Sequence, residues 1–181
     1  FDWDGEVLYK GGAERYVFDL ARICQAKGLN VRILQNANSF FNKSFNNIPV
    51  IGLPSKAGYD MEKISERYNS YCMQSDVIIA SPLDLACNLH YSSNSIGISH
   101  GIYWDDKFTR LSNYDFNRYR RIFKALKNCS KSVCVDTNFI NWLRTYDWEL
   151  ASKCEYVPNY VDEKQFAAVE KYFDGDLTVI F

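Results

Sequence analysis

Apolar side chains recur at helical spacing early in the chain. Ala13, Tyr16, Val17, Leu20, Ala21 and Cys24 fall on one face of a helix predicted over 12–27. Glu14, Arg15, Asp19, Arg22 and Gln25 fall mostly elsewhere, and Gly28 stands where a left-handed cap favours glycine. Short apolar runs then alternate with further helical patterns. Val31–Leu34, Ile48–Leu53, Val77–Ala80, Ser95–Ser99, Val133–Val135 and Cys154–Val157 read as strands. Pro49 marks the second of these as an edge strand, because proline cannot donate to a ladder. Val77–Ala80 is wholly apolar, the pattern of a strand covered on both faces. Helices are expected over 59–73, 82–90, 115–127 and 137–144. The stretch 36–47, rich in asparagine, serine and phenylalanine, reads as a mobile surface loop. Asp162-Glu-Lys-Gln165 has capping-box character and opens a helix to about Phe173. Asp174-Gly175 breaks that helix, and Leu177–Phe181 reads as a fresh strand.

Alternation of this kind predicts an α/β protein, a doubly wound Rossmann-like parallel sheet with helices on both faces. Phe1–Gly5 makes no convincing strand ahead of the first helix. The expected division is a domain over 1–173, with 174–181 as the start of a second.

Composition narrows the function classes. In 181 residues, 47% are hydrophobic and 24% charged, with a net charge of −1. Such a balance gives no global attraction to nucleic acid. No apolar run approaches a membrane span, and no leader is visible. The six cysteines, Cys24, Cys72, Cys87, Cys129, Cys134 and Cys154, are dispersed without metal-site spacing. Most lie in apolar stretches, so the expectation is buried, reduced thiols in a cytoplasmic protein, with no cofactor expected. Asn42 and Asn128 head sequons too short to be specific.

Three places are candidates for chemistry. Gly11-Gly12 precedes the first helix, where free N–H groups and the helix dipole suit an anion such as a diphosphate; a plain turn into the helix reads equally well. His100-Gly101 follows a strand, at the sheet edge where open α/β folds bind ligands; a locally bonded histidine is the alternative. His90, on the helix expected over 82–90, is expected only to pack. Arg118, Arg120, Arg121, Lys124, Lys127 and Lys131 crowd one helix and its exit. An anionic acceptor or membrane surface is one reading of them, a solvated face the other. Asp105-Asp106, adjacent in a loop, fits a solvated turn better than a catalytic pair.

Gly11-Gly-Ala-Glu-Arg-Tyr-Val-Phe-Asp-Leu-Ala-Arg22, with Lys27-Gly28 and Val31–Leu34, resembles the opening of family 4 (group 1) retaining glycosyltransferases. His100-Gly101 followed by Trp104 resembles their histidine-glycine loop. Val157-Pro-Asn-Tyr-Val-Asp162, with Phe166, resembles their hinge, with Tyr160 in place of the usual glycine. The resemblance implies the acceptor-side half of a two-domain GT-B enzyme that transfers a sugar from a nucleotide-sugar donor, with retention and without a metal. It implies that Gly11 and Gly12 lie against the donor diphosphate and that His100 reaches the transferred sugar. It further implies a hinge at Pro158, Asn159 and Asp162, while from the basic helix itself Arg118, Arg121 and Lys124 are the candidates for holding the domain at a lipid-linked or anionic acceptor, with a peripheral contact at the inner face of a membrane. Donor binding would need the other half, so no turnover is expected from this chain alone. A non-catalytic carbohydrate- or nucleotide-binding domain of the same fold is the alternative. The family's first strand is missing or cut short here. Leu177–Phe181 is therefore expected to pair with a strand of its own chain or of a neighbour, in the latter case making a strand-swapped dimer.

Overall fold

The computed structural model describes residues 1–8, 11–55, 60–74, 76–90, 94–101 and 113–160, the side chains of 113–116 apart. Helix α1 (Gly12–Ala26) ends at Gly28, whose φ of +81° is the left-handed conformation expected of the cap. Strands β1 (Ile33–Ala37), β2 (Phe41–Phe45) and β3 (Ile48–Pro54) follow. They form a three-stranded sheet in the order β1-β3-β2, with β1 parallel and β2 antiparallel to β3.

Two expectations fail here. The stretch read as a mobile loop contains β2, turned into β3 by Asn46 and Asn47, both at positive φ. Asparagine tolerates that conformation, and a two-residue turn of this hand matches strand twist. Strand β3 is central and not an edge. Pairing with β1 starts at Val50, one residue past Pro49, so the proline faces only β2. Helix α2 (Met61–Asn69) is capped by Asp60, whose Oδ1 accepts from the Lys63 amide at 3.3 Å. The two faces of this sheet are covered separately. Ile33, Ala37 and Val50 pack with Phe18 of α1, whereas Leu34, Ile51 and Leu53 pack with Ile64 and Tyr68 of α2.

Strands β4 (Ile78–Ala80), β5 (Ser95–Ser99), β6 (Lys131–Cys134) and β7 (Cys154–Tyr156) form a second sheet, wholly parallel and in sequence order. Their connections are a 3-10 turn (Leu83–Ala86), α3 (Asn113–Asn128), and α4 (Thr137–Tyr146) with α5 (Trp148–Ser152). Right-handed crossovers that always step the same way place their helices on one face. Accordingly Leu83, Ala86, Leu126, Phe139, Leu143 and Leu150 share one buried core. The helix expected over 82–90 is only the 3-10 turn, and His90, expected to pack, is exposed beyond it. Ile79, expected to be covered, is 37% exposed.

The protein is thus mixed α/β, with a parallel four-stranded sheet flanked by helices, compatible with a Rossmann-like fold. Its strands make two sheets where one was expected. The edge strands β1 and β4 border a cleft of about 410 Å³, lined by Val17, Leu20 and Cys24 of α1, by Ile33 and Leu34, and by Ile78, Ile79 and Ser81. Arg32, also in its lining, donates through Nη2 to the Tyr71 carbonyl (2.7 Å) and to Asp76 Oδ2 (2.8 Å), which ties the segment before β1 to the segment before β4. The predicted helix over 162–173, the strand Leu177–Phe181, Trp104, Asp105, Asp106, Asp162 and Phe166 lie outside the described residues. Among those described, no helix is long and apolar enough to cross a membrane.

All six cysteines are free thiols. Cys87, Cys129 and Cys134 are buried; Cys24, Cys72 and Cys154 are only half-buried. Burial pushes the Cys129 thiol up to about 11, so it stays protonated and inert near neutral pH. Asn128, one of the two sequon residues, is committed inward: its side-chain amide donates to the carbonyls of Ala86 and Cys87.

Candidate functional site

Parallel strands deliver the residues that follow them to one edge of the sheet. Ser81 follows β4 and His100 follows β5, and the Ser81 hydroxyl meets His100 Nε2 at 2.8 Å. The third participant comes from α1. The Tyr16 ring stands perpendicular to the His100 imidazole, with centroids 5.1 Å apart. This contact brings the first turns of α1 against the carboxyl edge of the four-stranded sheet.

Gly11 is the N-cap of α1 in extended conformation, and no side chain caps the helix there. Its carbonyl accepts from the Arg15 amide at 3.1 Å. A Cβ added to Gly12 would meet no atom within 4 Å, so packing does not dictate the glycine. Gly101 has a φ of +133°, open only to glycine at low cost, and its carbonyl accepts from Ser99 Oγ at 3.2 Å. Burial lowers the pKa of His100, which favours the neutral ring. A neutral imidazole carries one N–H donor, and this ring packs on Tyr16 in the first turns of α1.

The basic helix face is only partly a surface. Arg121 is buried, and with Arg118 it lies close enough to Asp84 to favour that residue's charge. Desolvation of the buried Asp84 outweighs them and raises its pKa. Arg120 Nη2 pairs with Glu62 Oε1 of α2 at 2.8 Å, Lys124 Nζ donates to Asn88 Oδ1, and Lys131 pairs with Glu155 at 3.0 Å. Arg121 therefore turns into the protein, against the expectation of a surface contact. Arg121 stands one turn before the buried Ala125 on α3, and there it lies near a buried carboxylate. Pro158 and Asn159 are exposed beyond β7.

Sequence reasoning missed Ser81 and Tyr16. The rule that singled out His100, a polar residue just past an apolar strand, applies equally to Ser81. Tyr16 was absorbed into the apolar face of α1, where only its ring edge distinguishes it. Among the described residues no group of His, Cys, Asp or Glu side chains is placed to hold a metal ion. No family model matches the chain, and neither does any curated protein or solved structure.

Proposed function

We propose that this chain is the acceptor-side domain of a GT-B retaining glycosyltransferase, working with a nucleotide-sugar-binding half and inactive without it. One observation carries the reading. The glycine-led start of α1 and His100 are 84 residues apart from Tyr16 to His100, yet the two rings touch. Supporting it are the order and spacing of the sequence motifs, which place an anion-friendly helix start and a histidine in succession. In this reading the amides after Gly11 and Gly12 approach the donor diphosphate, and neutral His100 donates a hydrogen bond to the transferred sugar. Position on the sheet suits the roles, since open α/β sheets bind ligands past the carboxyl ends of their strands.

The test is turnover by the complete enzyme. His100→Ala is expected to lower kcat by about 10²-fold or more with little change in Tm. Near-normal turnover would return His100 to a local structural role. Retained sugar or nucleotide binding with no transfer by the unaltered protein would favour the non-catalytic binding domain.

A further inference from the structure

Cys134 closes β6, and Cys154 opens β7 at the end of the four-stranded sheet. The two strands run parallel, with Ser132 opposite Cys154 and Cys134 opposite Tyr156. Side chains alternate along a strand, and register partners share a face. Ser132, Cys134, Cys154 and Tyr156 therefore lie on one face, with the two cysteines on a diagonal across it. Cys134 belongs to the large core, and Cys154 packs against that same core. The two sulfurs are within hydrogen-bonding reach of each other, and Cys154 Sγ donates to the Leu150 carbonyl at 3.5 Å. Access differs between them. Cys134 is 1% exposed, whereas Cys154 is half-buried at the sheet's edge. A thiol that donates to a neighbouring sulfur favours the neighbour's thiolate, and the Cys154 pKa is lowered on that account.

We propose that Cys134 and Cys154 form a peroxide-sensitive dithiol that closes to a reversible disulfide between β6 and β7. This modification is independent of sugar transfer. In the first step the Cys154 thiolate attacks one oxygen of hydrogen peroxide. The O–O bond breaks, hydroxide leaves, and Cys154 becomes a sulfenic acid. In the second step the Cys134 thiol attacks that sulfur. The S–O bond breaks, the S–S bond forms, and the thiol hydrogen leaves with the hydroxyl as water. The dithiol loses two electrons and the peroxide gains them. Closing the diagonal needs a small backbone shift. Strand β7 is placed to make it, being three residues long and paired on one side only among the described residues. The new bond ties β7, and the Val157–Asn159 segment after it, to the strand beside β5.

The test is peptide mapping of the unaltered chain after treatment with hydrogen peroxide. The remaining thiols are alkylated with iodoacetamide in denaturant, and the digest is kept free of reductant. One linked pair of peptides holding Cys134 and Cys154 is expected, lighter than their sum by two hydrogens and separated by dithiothreitol. Cys87 and Cys129, both buried, are the controls and stay reduced. In Cys134→Ala the link is lost and the sulfenic acid on Cys154 accumulates, read as stronger dimedone labelling than in the unaltered chain. In Cys154→Ala, Cys134 stays fully open to alkylation after unfolding, because no accessible partner starts the reaction. Two results on the unaltered chain would overturn the proposal, and neither depends on a variant that folds. One is that Cys134 and Cys154 both remain free to alkylate after peroxide. The other is that Cys154 is oxidised without a link to Cys134.

Discussion

The two sheets solve the same problem in different ways. The three-stranded sheet is short of strands but covered on both faces, by Phe18 of α1 and by Ile64 and Tyr68 of α2. The four-stranded sheet is wholly parallel and gathers its connecting helices into one large core. Leu85 packs against both the α2 core and the larger one, so the cores meet at the 3-10 turn. The candidate site belongs to neither sheet alone. Tyr16 comes from the helix covering the three-stranded sheet, while Ser81 and His100 come from strand ends of the four-stranded one. A site that needs both is sensitive to anything that shifts one against the other.

Core truncations break the comparison most forcefully. Phe139→Ala, in the larger core, is expected to cost about 3–5 kcal/mol, and Leu53→Ala, in the α2 core, about 2–5 kcal/mol. Denaturant titration followed by a probe in each sheet checks them. Coincident loss of both sheets in each variant means one cooperative unit; separate transitions mean two.

Arg121→Ala comes next, at about 1–3 kcal/mol, because it removes a buried cation and leaves Asp84 with Arg118 alone. Asp84 also sets a pH dependence. Its folded pKa is raised above 3.8, so between the two values the native state holds the proton that the unfolded state has released. Stability from this group therefore grows as pH falls through that window, and Asp84→Asn should flatten the slope. His100 acts in the opposite sense. Its folded pKa lies below 6.5, so acidification charges the unfolded chain first and costs stability. Thermal melts of His100→Gln between pH 7 and 5 should show less acid sensitivity than the unaltered chain.

Smaller effects sharpen the contrast. Gly28→Ala, at a φ of +81°, is expected to cost about 1–2 kcal/mol. Amides of β3 and β5, flanked by strands on both sides, are expected to outlast those of the cleft strands β1 and β4 in hydrogen exchange.

Much of this was legible from the pattern of residues. Helices α1 and α3 and strand β5 follow directly from periodicity and apolar runs, because each makes its own local hydrogen bonds or is mostly buried. What failed depended on partners. The Asn46-Asn47 turn carries its own signal, yet the polar residues around it outweighed it. Whether Pro49 marks an edge depends on where β1 begins to pair. Whether Arg121 faces water depends on Asp84, 37 positions away. Within the site, Gly11, Gly12 and His100 stood out by residue type; Ser81 and Tyr16 became visible only through contacts.

The central claim is that the start of α1 and His100 form one site for a sugar diphosphate. Its most direct test is an NMR titration of the labelled chain with nucleotide sugars, following the amides of Gly12, Ala13 and Glu14 together with the His100 ring. The account predicts saturable shifts at both places with one common affinity, about millimolar or weaker, because two helix-end contacts supply little of the binding surface. Shifts at neither place, shifts at one without the other, or micromolar affinity would contradict it.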